Sequence, residues 1–63
     1  MRYYELWHRN RPYRKFLVRA INKHVAHKKL AAAQNYGFHS VVGRWVKDES
    51  EIKTLLTQLR KVD

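Results

Sequence analysis

Cysteine is absent from this 63-residue chain, and so is any long apolar run. The lack of cysteine excludes disulfides, thiolate zinc sites and thiol nucleophiles, which fits an intracellular protein. No stretch approaches the roughly 20 apolar residues that span a bilayer, and the N-terminus lacks the apolar segment of a secretory signal. We therefore expect a cytoplasmic protein, or a nuclear one in a eukaryote, that has no membrane partner.

The chain is also too short for a large interior. A domain of this size buries only about 60% of the surface that its unfolded chain exposes, which leaves no room for a large active site. Paired acids, a phosphate-cradling glycine loop and a nucleophile motif are missing. His24 and His27 lie three residues apart, but no Cys or nearby carboxylate completes a four-ligand metal site. The sequence predicts one domain, residues 1–63, that is not an enzyme and holds no metal or cofactor.

Acidic residues are scarce in most of the chain. Residues 1–47 contain eleven Lys and Arg and a single acid, Glu5, for a formal charge of +10, whereas residues 48–63 are close to neutral at −1. This balance favours a polyanionic partner, because each phosphate that a cation neutralises releases condensed counterions. Residues 1–47 are therefore predicted to bind nucleic acid. Residues 48–63 are predicted to form a C-terminal helix that packs on the domain or dimerises.

Helical spacing is the commonest apolar pattern. After Pro12, which suits the first turn of a helix, apolar residues recur every three or four positions as far as Val25. This predicts an amphipathic helix over residues 12–25. Residues 30–34 have high helix propensity and Gly37 suits a left-handed cap, which predicts a second helix over about residues 28–36.

A further helix is predicted near the C-terminus. Asp48 and Glu51 have the spacing of a capping box, and a leucine-rich stripe runs from Ile52 to Val62. Residues 2–8 and 40–47 are ambiguous. Their β-branched and aromatic content favours strands. Helical spacing is also present, since one side of a helix would hold Tyr3, Leu6 and Trp7 in the first segment, and Phe38, Val42 and Trp45 in and just before the second.

Two consecutive stretches resemble the helix-turn-helix of transposase-type DNA-binding domains: Leu30-Ala-Ala-Ala-Gln-Asn-Tyr36-Gly37-Phe38, and then Ser40-Val-Val-Gly-Arg-Trp-Val-Lys47. Those domains have an alanine-rich helix, an aromatic-Gly-apolar turn and an Arg-Trp-apolar-Lys recognition helix. The resemblance covers roughly residues 12–62, although the spacing from Phe38 to Val42 is one residue shorter than the family pattern. It implies a mostly α fold, a compact helix-turn-helix domain with a C-terminal leucine-rich helix, in which Phe38, Val42 and Trp45 pack the recognition helix onto the preceding one.

The resemblance also implies roles for individual residues. Base contacts fall to Ser40, Val41, Arg44 and Lys47, with Arg44 as the reader of guanine. Phosphate contacts fall to Arg11, Arg14, Lys28, Lys29, Gln34 and His39. Dimerisation or core packing falls to Ile52, Leu55, Leu59 and Val62. The implied function is sequence-specific or semi-specific DNA binding, as a regulator or as the recognition module of a recombination or packaging system. DNA is favoured over RNA, and a homodimer would match a palindromic site.

An alternative fold follows from the ambiguous segments. If residues 2–8 and 41–46 are strands, the chain is a small α+β protein of order β-α-β-α. It would then be an interaction protein, such as a phage-type inhibitor that docks on a host enzyme, or an RNA- or ribosome-binding factor. Tyr3, Tyr4 and Trp7 would then form a contact surface, a base-stacking platform or part of the core.

Overall fold

Four strands form a mixed sheet in a computed structural model that describes residues 1–63. The strands are β1 (Arg2–His8), β2 (Phe16–Ala20), β3 (Val41–Val46) and β4 (Arg60–Val62), and their order across the sheet is β3-β1-β2-β4. β1 is antiparallel to β2 and β3, whereas β4 is parallel to β2. The helices are α1 (Lys23–Gln34) and α2 (Glu49–Gln58), with a 3-10 turn at Phe38–Ser40. Neither helix combines the length and apolar character needed to cross a membrane.

One face of the sheet packs against α1. Successive side chains of a strand point to opposite faces, so every second residue of β1 and β2 faces this helix. The buried side chains of this cluster are Tyr4, Leu6, Phe16, Val18, Ala20, Ala26, Leu30 and Val41. Most of the apolar burial that stabilises the fold therefore lies between α1 and the sheet.

The opposite face packs against α2. Leu17 of β2, Val46 of β3 and Leu55 of α2 are buried together, and four half-buried residues surround them: Tyr3, Ile52, Leu56 and Leu59. The sheet is thus covered by one helix on each side. β2 contributes buried apolar side chains to both faces because it lies inside the sheet between the two helices, and only its Arg19 is exposed.

Side-chain caps fix the start of both helices. The Asn22 side chain accepts a hydrogen bond from the Val25 amide at 2.9 Å, and the Asp48 carboxylate accepts one from the Ser50 amide at 2.8 Å. Each satisfies an amide that has no partner within its helix. α1 ends at Gln34 and is capped by Asn35, which has a left-handed φ of 57°. The cap predicted at Gly37 is therefore wrong by two residues, and Gly37 has a negative φ of −68°.

Gly43 allows β3 to lie close against the central strand. Its φ is +154°, and it pairs with Leu6 of β1. A Cβ atom at this position would lie 2.0 Å from the carbonyl oxygen of Glu5 and 2.8 Å from the Cα of Leu6. Both distances are far shorter than a nonbonded contact, so the pairing of β1 with β3 requires glycine here.

The mostly α helix-turn-helix fold is wrong. Residues 41–46, predicted as part of the recognition helix, form strand β3, which pairs with β1 along its length. Val41 and Val46 are buried on opposite faces of the sheet, as the two-residue period of a strand requires. Trp45 was expected to be buried between helices, but it is 41% exposed.

Two predicted helices also differ from the structure. Residues 12–25 contain a loop, strand β2 and only the first turn of α1, which begins at Lys23 and not at residue 28. The C-terminal helix begins as the Asp48 cap predicts, but it ends at Gln58, and residues 60–62 form β4. The α+β alternative is the correct class and includes the strands at 2–8 and 41–46. It lacks β2 and β4.

Candidate nucleic-acid interface

The connection between β1 and β2 is the most basic short segment of the surface. We call residues 9–15 the basic hairpin loop. It holds four cations in seven residues, namely Arg9, Arg11, Arg14 and Lys15, and it contains no acid. Tyr13 lies among them and is 82% exposed. The loop therefore presents positive charge and one aromatic ring to solvent.

Hydrogen bonds hold the backbone of the loop in place. The Arg9 amide donates to the Ser40 carbonyl at 2.8 Å, the Arg11 amide to the His8 carbonyl at 2.8 Å, and the Arg14 amide to the Arg11 carbonyl at 3.1 Å. Lys15 Nζ donates to the Pro12 carbonyl at 2.7 Å, and it lies 3.8 Å from the centre of a Trp7 ring. The cations thus extend from an ordered loop, which lowers the entropy lost on binding.

Arg44 is held between two carboxylates on the α2 face of the sheet. Its Nε lies 2.9 Å from Glu5 Oε1, and its two terminal nitrogens donate to both oxygens of Glu51. The hydrogen bonds that Arg44 donates to Glu51, and then to Glu5, raise the pKa of Arg44, and the same contact lowers the pKa of Glu51. Three of the five N–H donors of the guanidinium that was predicted to read guanine are therefore engaged within the protein.

The other predicted base contacts do not share a surface with Arg44. Val41 is buried against α1 with 3% exposure, and Ser40 is half-buried with its carbonyl bonded to Arg9. Lys47 is exposed just beyond β3. Because Val41 and Arg44 point to opposite faces of the sheet, one duplex groove cannot contact both.

The predicted phosphate contacts lie in three places. Arg11 and Arg14 belong to the basic hairpin loop. On α1, Lys28 is exposed, Lys29 Nζ donates to the Arg19 carbonyl at 3.0 Å, and Gln34 is half-buried at the last position of the helix. His39 is exposed in the 3-10 turn. The structure thus places the first pair on one loop and the second group on α1, and His39 is adjacent to Ser40, whose carbonyl accepts a hydrogen bond from Arg9 of that loop.

A cluster of aromatic rings surrounds Phe38 beside α1. The ring centres of His24 and His39 lie 5.2 and 5.3 Å from that of Phe38, and His27 lies at 6.0 Å. The Nε2 atom of His27 is buried without a hydrogen-bond partner, and burial, followed by the charge of Lys23, lowers the pKa of this residue. Lys28 and Tyr36 line an open groove of about 480 Å³ next to the cluster. No three His or acidic side chains of the chain meet as metal ligands would.

The residues predicted for dimerisation do not form one stripe. Leu55 lies on α2 and is buried against the sheet, and Ile52 and Leu59 pack beside it. Val62 lies on β4 and packs against the core on the α1 side. These four side chains therefore contribute to two different sides of the same domain and leave no exposed seam for a coiled coil.

Sequence reasoning missed the surroundings of Trp45. The Cζ atom of Arg2 lies 4.2 Å from the centre of a Trp45 ring, and Lys47 Nζ lies 4.5 Å from a ring centre. In a strand, residues two apart share a face, so the pattern Trp45-x-Lys47 was a detectable signal. Arg2 was not detectable, because its position depends on the register of β1 and β3.

Compared with known proteins the chain has no match: no protein-family model, curated protein sequence or solved structure aligns with it.

Proposed function

We propose that this protein binds nucleic acid by holding the phosphate backbone, with the basic hairpin loop as the main contact. The observation that carries this proposal is the distribution of ion pairs. Of fourteen Lys and Arg, Arg44 alone forms salt bridges, with Glu5 and Glu51. No other cation has a carboxylate partner within the protein, although Lys15 and Lys29 each donate to a backbone carbonyl.

Four cations on one short loop without an acid favour the binding of a polyanion. A single exposed Lys or Arg is usually just solvated. Four of them on one ordered loop repel one another, and a phosphate chain relieves that repulsion while releasing its own counterions. Binding at the loop therefore gains from both partners, and it weakens steeply as salt increases.

The proposed binding has weak sequence preference. Phosphate contacts set position but carry no sequence information, and Glu5 and Glu51 engage three of the five N–H donors of Arg44. Phosphates are common to DNA and RNA, so DNA is the first ligand to test and RNA the second. The proposed role is binding without catalysis, because three of the five acids have structural partners: Glu5 and Glu51 hold Arg44, and Asp48 caps α2.

Salt-dependent binding of a fluorescent 20-nucleotide DNA tests this proposal. Replacing both Arg11 and Arg14 by Ser should weaken binding and reduce the slope of log K against log salt by about 1.8 for a duplex, or about 1.4 for a single strand. Lys53→Ser is the matched control, since it removes one exposed cation from α2, where the acids are concentrated. Its slope should stay close to that of the parent. No binding at low salt, or an equal loss with Lys53→Ser, would overturn the proposal.

A second candidate is docking on an acidic protein. The observation that favours it is the free outer edge of β3, which has no strand beside it and carries the exposed Trp45. An extended segment of a partner can add to such an edge through backbone hydrogen bonds. If neither DNA nor RNA binds at low salt, this candidate becomes the better one. Proline substitutions along β3 that abolish capture of the partner would then support it.

A further inference from the structure

Trp45 is an exposed aromatic side chain on the edge strand β3. It lies on β3 opposite the buried Tyr4, yet it keeps 41% of its surface accessible. It lies toward the end of the sheet away from the basic hairpin loop, since His8, next to the loop, pairs with Val41 at the other end of β3. The fold thus keeps a large apolar surface in water at a fixed position.

Two cations hold the indole in this position. Tyr3 pairs with Val46, so the next residues outward, Arg2 and Lys47, lie side by side at the end of the two strands. Both contact Trp45, at 4.2 and 4.5 Å from ring centres, and neither has an acidic partner. Cation–π contacts of this kind orient a ring without burying it.

A groove adjoins the ring at this end of the sheet. Its volume is about 430 Å³; Tyr3, Val46 and Ile52 supply apolar walls, and Arg2 and Lys47 lie at its rim. Glu49 is the one acid that lines it. An apolar, aromatic surface beside two cations suits a flat ring within a strand that has a phosphate before and after each ring-bearing unit.

We propose that this Trp45 site takes an unpaired nucleobase, so that the preferred ligand is single-stranded nucleic acid. This proposal rests on the proposed function above. A base stacks on the indole and replaces one cation there, which leaves that cation to pair with the flanking phosphate. Such stacking tolerates any base sequence, because every base has a π face. A base inside a duplex is stacked on its neighbours, so a duplex meets only the cations.

Fluorescence of Trp45 provides a direct test. The chain has two tryptophans, so Trp7→Phe leaves Trp45 as the sole indole. Titration of this variant with a 12-nucleotide oligothymidylate should quench the signal, whereas an abasic strand of the same length, a duplex and poly-glutamate should quench it little. Equal quenching by poly-glutamate would indicate an acidic-peptide site and would overturn the proposal. Absence of quenching by oligothymidylate would also overturn it.

Affinity measurements on otherwise unaltered protein make the test independent of Trp7. Trp45→Leu should weaken binding of labelled oligothymidylate about tenfold, the size expected for one lost base stack, and should leave binding of the abasic strand unchanged. Trp45→Phe should recover part of the loss. Ile21→Ser, at an exposed apolar residue outside both the basic hairpin loop and the Trp45 site, is the control for a general effect of removing an apolar surface side chain. The melting temperature of each variant shows whether it folds.

The outcomes separate this inference from the proposed function. If the abasic strand and the duplex bind as tightly as oligothymidylate, and Arg11 and Arg14 still set the salt slope, the basic hairpin loop binds nucleic acid and the Trp45 site does not take a base. If no nucleic acid binds at all, both proposals are wrong.

Discussion

Gly43→Ala is the substitution with the largest effect expected from the smallest change, a single methyl group. At φ +154° any residue other than glycine is strained, which costs about 1–3 kcal/mol. The new methyl would lie 2.0 Å from the Glu5 carbonyl oxygen, which belongs to the backbone of β1 and cannot rotate away. The strands must separate, and each backbone hydrogen bond weakened adds about 1 kcal/mol. We expect a total loss of about 3–5 kcal/mol.

That loss is large for this protein. At about 0.05–0.15 kcal/mol per residue, a domain of this length has a stability of only about 3–9 kcal/mol. Thermal unfolding followed by far-ultraviolet circular dichroism should therefore show a melting temperature lower by more than about 10 °C, or no folded state. Gly37→Ala is the control. Its Cβ meets nothing closer than Ser40 Oγ at 3.6 Å, so its melting temperature should lie within a few degrees of the parent.

The direction of the change separates the strand from the predicted helix at this position. In a helix, alanine is more favourable than glycine by about 0.5–1 kcal/mol, so Gly43→Ala would raise the melting temperature. A rise, or a change no larger than that of Gly37→Ala, would refute the close approach of β3 to β1.

Two further outcomes concern the core and the response to pH. Leu30→Ala, at a fully buried position between α1 and the sheet, should lower the free energy of unfolding by about 2–5 kcal/mol, whereas Ala33→Ser on the exposed side of the same helix should change it by less than about 0.5 kcal/mol in urea titrations. Burial lowers the pKa of His27 from 6.5, so the unfolded chain binds more protons than the folded one, and stability should fall as the pH drops below about 6.5. The contact with Arg44 lowers the pKa of Glu51 from 4.5, so protonation of this carboxylate should cause a further loss of stability below about pH 4.5. His27→Leu should remove the first decrease and Glu51→Gln the second, as urea midpoints at pH 7.5, 5.5 and 3.5 would show, and unchanged profiles would contradict these assignments.

The sequence predicted the fold best where local signals and pairing agree. The β-branched and aromatic residues of 2–8 and 41–46 favoured strands, although helical spacing left both segments open and the resemblance made 41–46 a helix. Asp48 marked the start of α2. β2 was mistaken for helix because a strand buried on both faces has no polar alternation, and Phe16, Leu17 and Ala20 fit either period. β4 has only three residues, and its strand conformation depends on pairing with β2. No local pattern reveals such a partner.

The candidate site was predictable in charge but not in geometry. Counting residues located the excess of cations in 1–47, whereas the proposed phosphate contacts Arg11 and Arg14 came from the resemblance to helix-turn-helix domains. The engagement of Arg44 was not predictable, since one of its partners, Glu5, lies 39 residues away along the chain and meets it only through the register of β1 and β3. A single sequence cannot show which exposed arginine is neutralised when the chain folds.

The unpaired edge of β3 has a consequence for how the protein behaves when its charge is neutralised. Bare strand edges promote sheet-to-sheet association, and a net charge of +9 keeps the copies of this chain apart. A polyanion that matches this charge removes the repulsion while the edge stays open. Mixtures should therefore turn turbid near charge equivalence and clear again when either component is in excess, so colloidal stability of the complex depends on the mixing ratio as much as on affinity.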